Sequence, residues 1–143
     1  MSKIKSGVIA AVCAIGATAA MVTPASAAGT GKATYDCGVY GSSVGATFTR
    51  SASNLLTLTA NLSYFVPTAI PAGGITGTLT GNQSGLANPT AISAGFHSSI
   101  VLQKAGSVAI PSAPSSIVMT ITPPGLTVTC TLKASPPPTG FPI

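Results

Sequence analysis

Two cysteines, Cys37 and Cys130, lie in segments that alternate between apolar and polar side chains, and this pattern constrains the fold more than any other feature. In GLTVTCTLKA, Cys130 shares the apolar parity with leucine and valine, and threonine fills the other parity. In TYDCGVY, Cys37 shares its parity with Tyr35 and Val39. A period of two is typical of a half-buried β-strand. We therefore expect both cysteines to point into one core.

The first 27 residues have the three parts of a secretory signal peptide. Lys3 and Lys5 give a basic start, residues 7–22 are apolar and uncharged, and the small residues ASA end at Ala27. This arrangement predicts cleavage after Ala27 and export of residues 28–143. The alternative is an uncleaved anchor, but the apolar stretch is shorter than the ~20 residues that a membrane span needs. We expect no membrane span after cleavage.

Removal of this leader, together with Cys13, leaves only Cys37 and Cys130. An even number of cysteines in an exported chain indicates a disulfide, because that environment lets the bond form and persist. The bond would join the first strand of the domain to the last. Two free buried thiols, or a bond between two chains, are the alternatives.

Runs of period two continue along the chain, and no helical period follows residue 28. Strands are predicted over residues 33–40, 43–50, 55–66, 74–80, 98–104, 107–110, 116–122 and 126–133. The sequence TPPG (122–125) predicts a tight turn, and the weakly patterned connection Gly81–His97 predicts an irregular loop. Seven or eight such strands favour an all-β fold, an antiparallel β-sandwich of immunoglobulin-like type over residues 28–134. Residues 135–143 are expected to form a separate, extended proline-rich tail.

The residue inventory argues against catalysis. After the leader the chain has one histidine, His97, one carboxylate side chain, Asp36, and no glutamate. Hydrolysis of glycosides by two carboxylates is therefore impossible, and a serine triad would need His97 and Asp36 with no nucleophile motif to support it. One histidine and one carboxylate cannot build a closed metal shell. We predict a protein that is not an enzyme, with no catalytic residues, metal or cofactor.

Charge also limits the partners. Only 5% of the chain is charged, and the basic residues after the leader are scattered: Lys32, Arg50, Lys104 and Lys133. Nucleic-acid binding needs clustered cations that neutralise several phosphates together, so we expect no nucleic acid. A surface of hydroxyls, amides and backbone is hydrated but weakly repulsive, which suits a wall, a matrix or an assembly.

Three aromatic residues stand out as candidate contacts. Tyr40, Phe65 and Phe96 lie at predicted strand ends or in loops, where they could be exposed anchors, whereas other aromatic residues match core parities: Tyr35, Phe48 and Tyr64. Ladders of threonine also run along several predicted strands. Threonine favours strands and hydrates an outer face, and we prefer this explanation to the binding of ordered water or ice. No binding residue is assigned from the sequence.

The segments ATYDCGVYG and SSIVMTITPPGLTVTCTLKASPPP resemble the two ends of a secreted actinobacterial domain of unknown function. In that family a Tyr-x-Cys segment opens the first strand and a Cys-Thr-Leu strand closes the last. The resemblance implies an exported β-sandwich with a terminal disulfide, and no activity.

Together these features predict a non-enzymatic protein that is secreted, extracellular or loosely associated with the cell wall. Its role would be structural, adhesive or accessory, and its partner would be a cell-wall or matrix component or another secreted protein. The alternative is a soluble secreted binder, such as a protease inhibitor or toxin adaptor, that uses the loop Gly81–His97.

Overall fold

Antiparallel β-strands make up most of the regular structure in residues 28–143, which are the residues that a computed structural model describes. The predicted signal peptide, residues 1–27, lies outside the described residues. The strands are β1 (Gly29–Asp36), β2 (Val44–Arg50), β3 (Leu55–Ala60), β4 (Tyr64–Val66), β5 (Ile75–Leu79), β6 (Gln83–Ala87), β7 (Gly95–His97), β8 (Ile100–Ala105), β9 (Ser116–Ile121) and β10 (Leu126–Leu132). A single 3-10 turn within this range spans Gly38–Tyr40. The predicted all-β, antiparallel class is confirmed.

The strands close into one eight-stranded barrel in the order β9-β10-β1-β2-β3-β8-β6-β5, with β4 and β7 as a separate two-stranded sheet. This differs from the predicted immunoglobulin-like β-sandwich, in which two sheets stay separate. The barrel consists of two sets of four extensively paired strands, β1-β2-β3-β8 and β6-β5-β9-β10. The two sets are joined to each other at two narrow seams. The β10–β1 seam has two residue pairs, and the β6–β8 seam has one, Ala87 with Gln103. A sandwich and a barrel share the same alternating sequence pattern, so only these seams separate them.

The inward parity of every barrel strand fills a single apolar core. Leu56 and Leu58 of β3 and Met119 of β9 are fully buried, as their alternation predicts. Two aromatic rings, Tyr35 and Phe48, lie side by side in this core with their centroids 6.4 Å apart. Side chains fill the barrel interior, and binding surfaces must therefore be sought on its outside.

The predicted disulfide between Cys37 and Cys130 is present, with an S–S distance of 2.02 Å, and it joins the end of the first strand to the last strand. Strand β1 stops at Asp36, earlier than predicted, because Gly38 adopts a positive φ of 66° that favours glycine. The Asp36 carboxylate accepts a hydrogen bond from the Gly38 N–H at 2.9 Å. In the turn that follows, the Val39 side chain is 89% exposed. The prediction that Val39 shares the inward face with Cys37 is therefore wrong.

The proline-rich segment packs along β1. Lys32 and Thr139 exchange two backbone hydrogen bonds of 2.8 and 2.9 Å, and Ile110 bonds to Ile143 in the same way. Phe141 covers Gly31, where an added Cβ would meet the phenyl ring at 2.6 Å, and lies 5.7 Å from the Phe48 ring. Glycine at this inward position makes room for an aromatic side chain from the far end of the chain.

Replacing Phe141 with alanine is expected to lower the free energy of unfolding by about 1–3 kcal/mol. The substitution removes a half-buried ring and leaves Gly31 and Phe48 uncovered. Urea denaturation of the two proteins measures the difference. Val39→Ala, which shortens an apolar side chain that is 89% exposed, is the control and should change stability little. Equal stability of Phe141→Ala and wild type would mean that the segment contributes nothing to the fold.

The end of the barrel near this segment is closed by a buried arginine. Arg50 is 1% exposed, and its guanidinium donates hydrogen bonds to the Asn54 side chain and to the backbone carbonyls of Ser107 and Val108. Burial lowers the pKa of Arg50. These bonds hold residues 107–110 as a loop, although a strand was predicted there. The Tyr35 hydroxyl also holds the connection between β8 and β9, because it donates a hydrogen bond to the Pro114 carbonyl at 2.7 Å.

Candidate functional site

The two-stranded sheet of β4 and β7 carries the most conspicuous exposed apolar pair. Phe65 and Phe96 are 67% and 66% exposed, and they lie directly opposite each other in the register. Opposed residues of an antiparallel pair share a face and have Cβ atoms about 4.5–5.5 Å apart. We call the sheet of β4 and β7 the aromatic ribbon. Two of the three aromatic anchors proposed from the sequence therefore share one surface.

The third anchor, Tyr40, packs against Tyr64 at the base of the aromatic ribbon. It is partly buried, and its ring meets the Tyr64 ring edge-on at 5.7 Å. The Tyr40 carbonyl also accepts a hydrogen bond of 2.9 Å from the Ser63 N–H. Burial, and secondarily the neighbouring Tyr40, raise the pKa of Tyr64. Tyr40 is thus a packing residue of the ribbon base and not a free contact.

Buried residues fix the ribbon to the barrel. Val66 and Ile70 are fully buried, and Ile70 exchanges two backbone hydrogen bonds with Ile92, of 2.8 and 2.7 Å. Asn88 is 3% exposed; its side-chain oxygen accepts from the Ile75 N–H at 2.8 Å, and its amide donates to the carbonyls of Pro71 and Thr90. Asn88 was not singled out from the sequence, since it lies in the weakly patterned connection Gly81–His97. The exposed phenylalanines are therefore presented on a fixed base.

The segments that carry the aromatic pair are uncharged. Residues 61–74 and 88–99 contain no lysine, arginine, aspartate or glutamate. His97, at the end of β7, pairs with Tyr64, and its Nε2 atom is buried without a hydrogen-bond partner among residues 28–143. Asp36 ends β1, and its carboxylate accepts a hydrogen bond from the Gly38 N–H. Within the described part of the chain, no three histidine, cysteine, aspartate or glutamate side chains cluster as metal ligands would.

The threonine ladders lie side by side on the outer wall formed by β5, β9 and β10. Register pairs align them in rows: Thr76, Thr120 and Thr127; Thr78, Val118 and Thr129; and Thr80, Ser116 and Thr131. Threonine also pairs with threonine between β2 and β3, on the opposite wall. The same residue type on both walls fits the general β-propensity of threonine and a hydrated outer surface.

Two concave surfaces were not foreseen from the sequence. A groove of about 370 Å³, which we call the tail groove, lies between the proline-rich segment and the outer face of β1 and β2; its lining residues are Lys32, Ala33, Thr34, Gly45, Ala46, Thr47, Asn61, Pro136, Pro137 and Thr139. A pocket of about 280 Å³ lies between the β5–β6 turn and residues 109–115. The sequence signal for the tail groove is the proline run, but the surface against which it packs is set by long-range pairing.

No helix among residues 28–143 has the length and apolar character to cross a membrane. No family model, no curated protein and no solved structure matches the chain, so the resemblance to a secreted actinobacterial domain remains a prediction.

Proposed function

We propose that this chain is a non-enzymatic protein, exported by an actinobacterium, that acts by non-covalent contact at the cell wall or in the extracellular matrix. The observation that carries the proposal is the exposed Phe65–Phe96 pair on the aromatic ribbon. The contact is structural, adhesive or accessory. The single histidine and single carboxylate side chain that follow the leader support the non-enzymatic part of the proposal, and the disulfide is consistent with an extracellular location.

The aromatic pair is suited to contact because it is apolar, paired and held in place. Large aromatic side chains bury about 150–250 Å² each and dominate interface energetics. Phe65 and Phe96 are exposed, although Val66, which follows Phe65 in β4, is buried. A partner that covers the rings desolvates no charged side chain of residues 61–74 or 88–99. A contact of this kind should resist salt, because screening acts on charges and not on apolar burial.

Co-sedimentation with purified actinobacterial cell walls tests the proposal. The wild-type protein is expected in the pellet at both low and high salt. Replacing both Phe65 and Phe96 with serine should weaken retention at high salt at least about tenfold, because the loss of interface anchors of this kind costs 2 kcal/mol or more. The midpoint of thermal unfolding should stay near that of wild type, since both rings are exposed.

Val108→Ser is the matched control, because Val108 is 58% exposed at the opposite end of the barrel. It should sediment as wild type does. A wild-type protein that stays in the supernatant as a monomer at both salt concentrations would contradict wall association. Equal losses for the double variant and for Val108→Ser would show that the aromatic pair is not the contact.

The second candidate is a soluble secreted binder, such as a protease inhibitor or toxin adaptor. The observation in its favour is that Phe96 lies within the connection Gly81–His97, which the sequence marks as a presented loop. Such a protein should remain monomeric in the medium and act stoichiometrically on one purified target. Stoichiometric inhibition that disappears in Phe96→Ser, with no wall retention, would favour this candidate.

A further inference from the structure

The tail groove owes its shape to prolines that cannot join the β1 ladder. The Lys133 N–H bonds to the Thr34 carbonyl at 2.8 Å, and Thr139 resumes pairing with Lys32. Between these contacts lie Pro136, Pro137 and Pro138, which lack the N–H that a ladder needs. The chain therefore bulges away from β1, and two of these prolines line one side of an open groove of about 370 Å³. This volume is at the lower end of the range of about 300–1,000 Å³ for small-molecule sites.

Three polar side chains, those of Lys32, Thr47 and Asn61, line the opposite side. Lys32 lies between Thr47, its register partner in β2, and Thr139. Asn61 contributes an amide to the same groove. In residues 28–143, the side chains of Lys32, Thr47 and Asn61 make no hydrogen bond. The groove thus offers an ammonium, a hydroxyl and an amide to a ligand.

The charge of the groove is positive. Lys32 lines it, and Lys133 is fixed next to Thr34 while its ammonium reaches the Ser42 carbonyl at 3.0 Å. The remaining lysine after the leader, Lys104, is elsewhere, near Gly85 of β6. Asp36 is the only carboxylate side chain in the sequence and does not line the groove. A negatively charged ligand in the groove therefore meets the Lys32 ammonium and hydrogen-bond donors with no opposing carboxylate side chain.

The floor of the groove leaves room for a ring. Gly45 lies opposite Thr34 in β2, and a Cβ added there would meet no atom within 4 Å. The proline side supplies apolar contact, whereas the β1–β2 side supplies hydrogen-bond donors and acceptors. A sugar ring has the same division, with C–H faces and a hydroxyl edge.

We propose that the tail groove binds a carboxylate-bearing sugar of an anionic polysaccharide, with the Lys32 ammonium on the carboxylate. Thr47 and Asn61 bind the sugar hydroxyls, and Pro136 and Pro137 contact the ring. This site lies on the barrel wall and does not depend on the aromatic ribbon, so it goes beyond the proposed wall or matrix contact.

Titration of the full chain, purified from an actinobacterial host, with trigalacturonic acid tests the proposal, with amide chemical shifts as the readout. The shifts are expected at residues of the tail groove and should diminish at high salt. Lys32→Gln should weaken binding about tenfold, because it removes one charge-assisted hydrogen bond. Lys104→Gln carries the same change of charge outside the groove and should bind as wild type does. Gly45→Phe should fill the groove and abolish binding while it keeps the wild-type spectrum elsewhere.

The fully methyl-esterified trisaccharide, which has the same rings without charge, should not bind. Equal weakening by Lys32→Gln and Lys104→Gln would overturn the proposal, since it would indicate only general attraction of an anion. Shifts located outside the groove, or none at millimolar ligand, would also overturn it. Binding of a glycerol phosphate oligomer without binding of trigalacturonic acid would overturn the assignment to a sugar carboxylate. Loss of wall retention in the Phe65/Phe96 double variant with intact trigalacturonate binding would show that the two sites are separate.

Discussion

Replacing both Cys37 and Cys130 with alanine is expected to lower the free energy of unfolding by about 2–5 kcal/mol, the usual cost of losing a native disulfide from a small domain. The bond spans 93 residues, which is nearly the whole barrel. Its loss therefore releases the unfolded chain from a long closed loop. Urea denaturation of the oxidised protein and the double variant measures the difference, and the midpoint should fall.

A second, local effect is expected at the β10–β1 seam, which should open more easily without the bond. Only Thr131 with Asp36 and Leu132 with Tyr35 pair there, and the disulfide lies next to these pairs. Amide hydrogen exchange of the seam should therefore accelerate more than exchange of the Phe48 and Leu58 amides, which lie between well-paired strands. Unchanged stability would contradict the global effect of the bond, and an equal acceleration at the seam and in the core would contradict the local one.

Arg50→Met is expected to lower the free energy of unfolding by about 2–4 kcal/mol, because it removes donors from buried backbone carbonyls while it keeps an apolar stem of similar length. The Ser107 carbonyl has only Arg50 as a donor among the described side chains, whereas the Val108 carbonyl also accepts from the Gln83 amide at 2.6 Å. Most of the cost should therefore come from Ser107, which is 2% exposed.

Arg50→Lys separates hydrogen bonding from packing. Its ammonium can still donate to one or two carbonyls, so its stability in urea should lie between those of wild type and Arg50→Met. Limited proteolysis should cut residues 105–115 of Arg50→Met fastest, because this connection loses its attachment. Buried charges are often replaced by apolar residues at little cost, and an Arg50→Met variant as stable as wild type would show that this also holds here.

The alternation of apolar and polar residues predicts the barrel strands well where it is regular. Residues 116–122 and 126–133 were predicted as strands, and β9 and β10 occupy nearly the same ranges. The predicted strand 55–66 is interrupted at 61–63, where the chain leaves the barrel to form the ribbon. Closure into a barrel was not predictable, because it depends on three residue pairs at two seams, and no local pattern encodes them.

Strands β6 and β7 were missed, because both lie in the connection Gly81–His97 that the sequence predicts as an irregular loop. In β6, Ser84 and Gly85 are both exposed, and a register shift opposite Gly77 breaks the alternation. Strand β1 begins at Gly29, earlier than predicted, since its inward glycines are covered by Phe141 and Ile143 from more than 100 residues away. The aromatic pair was foreseeable in part: Phe65 and Phe96 were singled out, but their pairing was not. The tail groove needs the same distant contacts as β1, so its sequence signal, the proline run, does not show where the groove lies.

The pairing of Thr139 with Lys32 has a consequence for solubility. A strand whose backbone groups are left open can pair with the strand of another molecule and start aggregation. Most proteins discourage this with surface charge, but here only 5% of residues are charged. Where β10 ends, the N-terminal half of β1 would be such an open edge, and the segment through Thr139 and Phe141 covers it. A nearly uncharged protein can thus remain dispersed by hiding its backbone instead of repelling its neighbours.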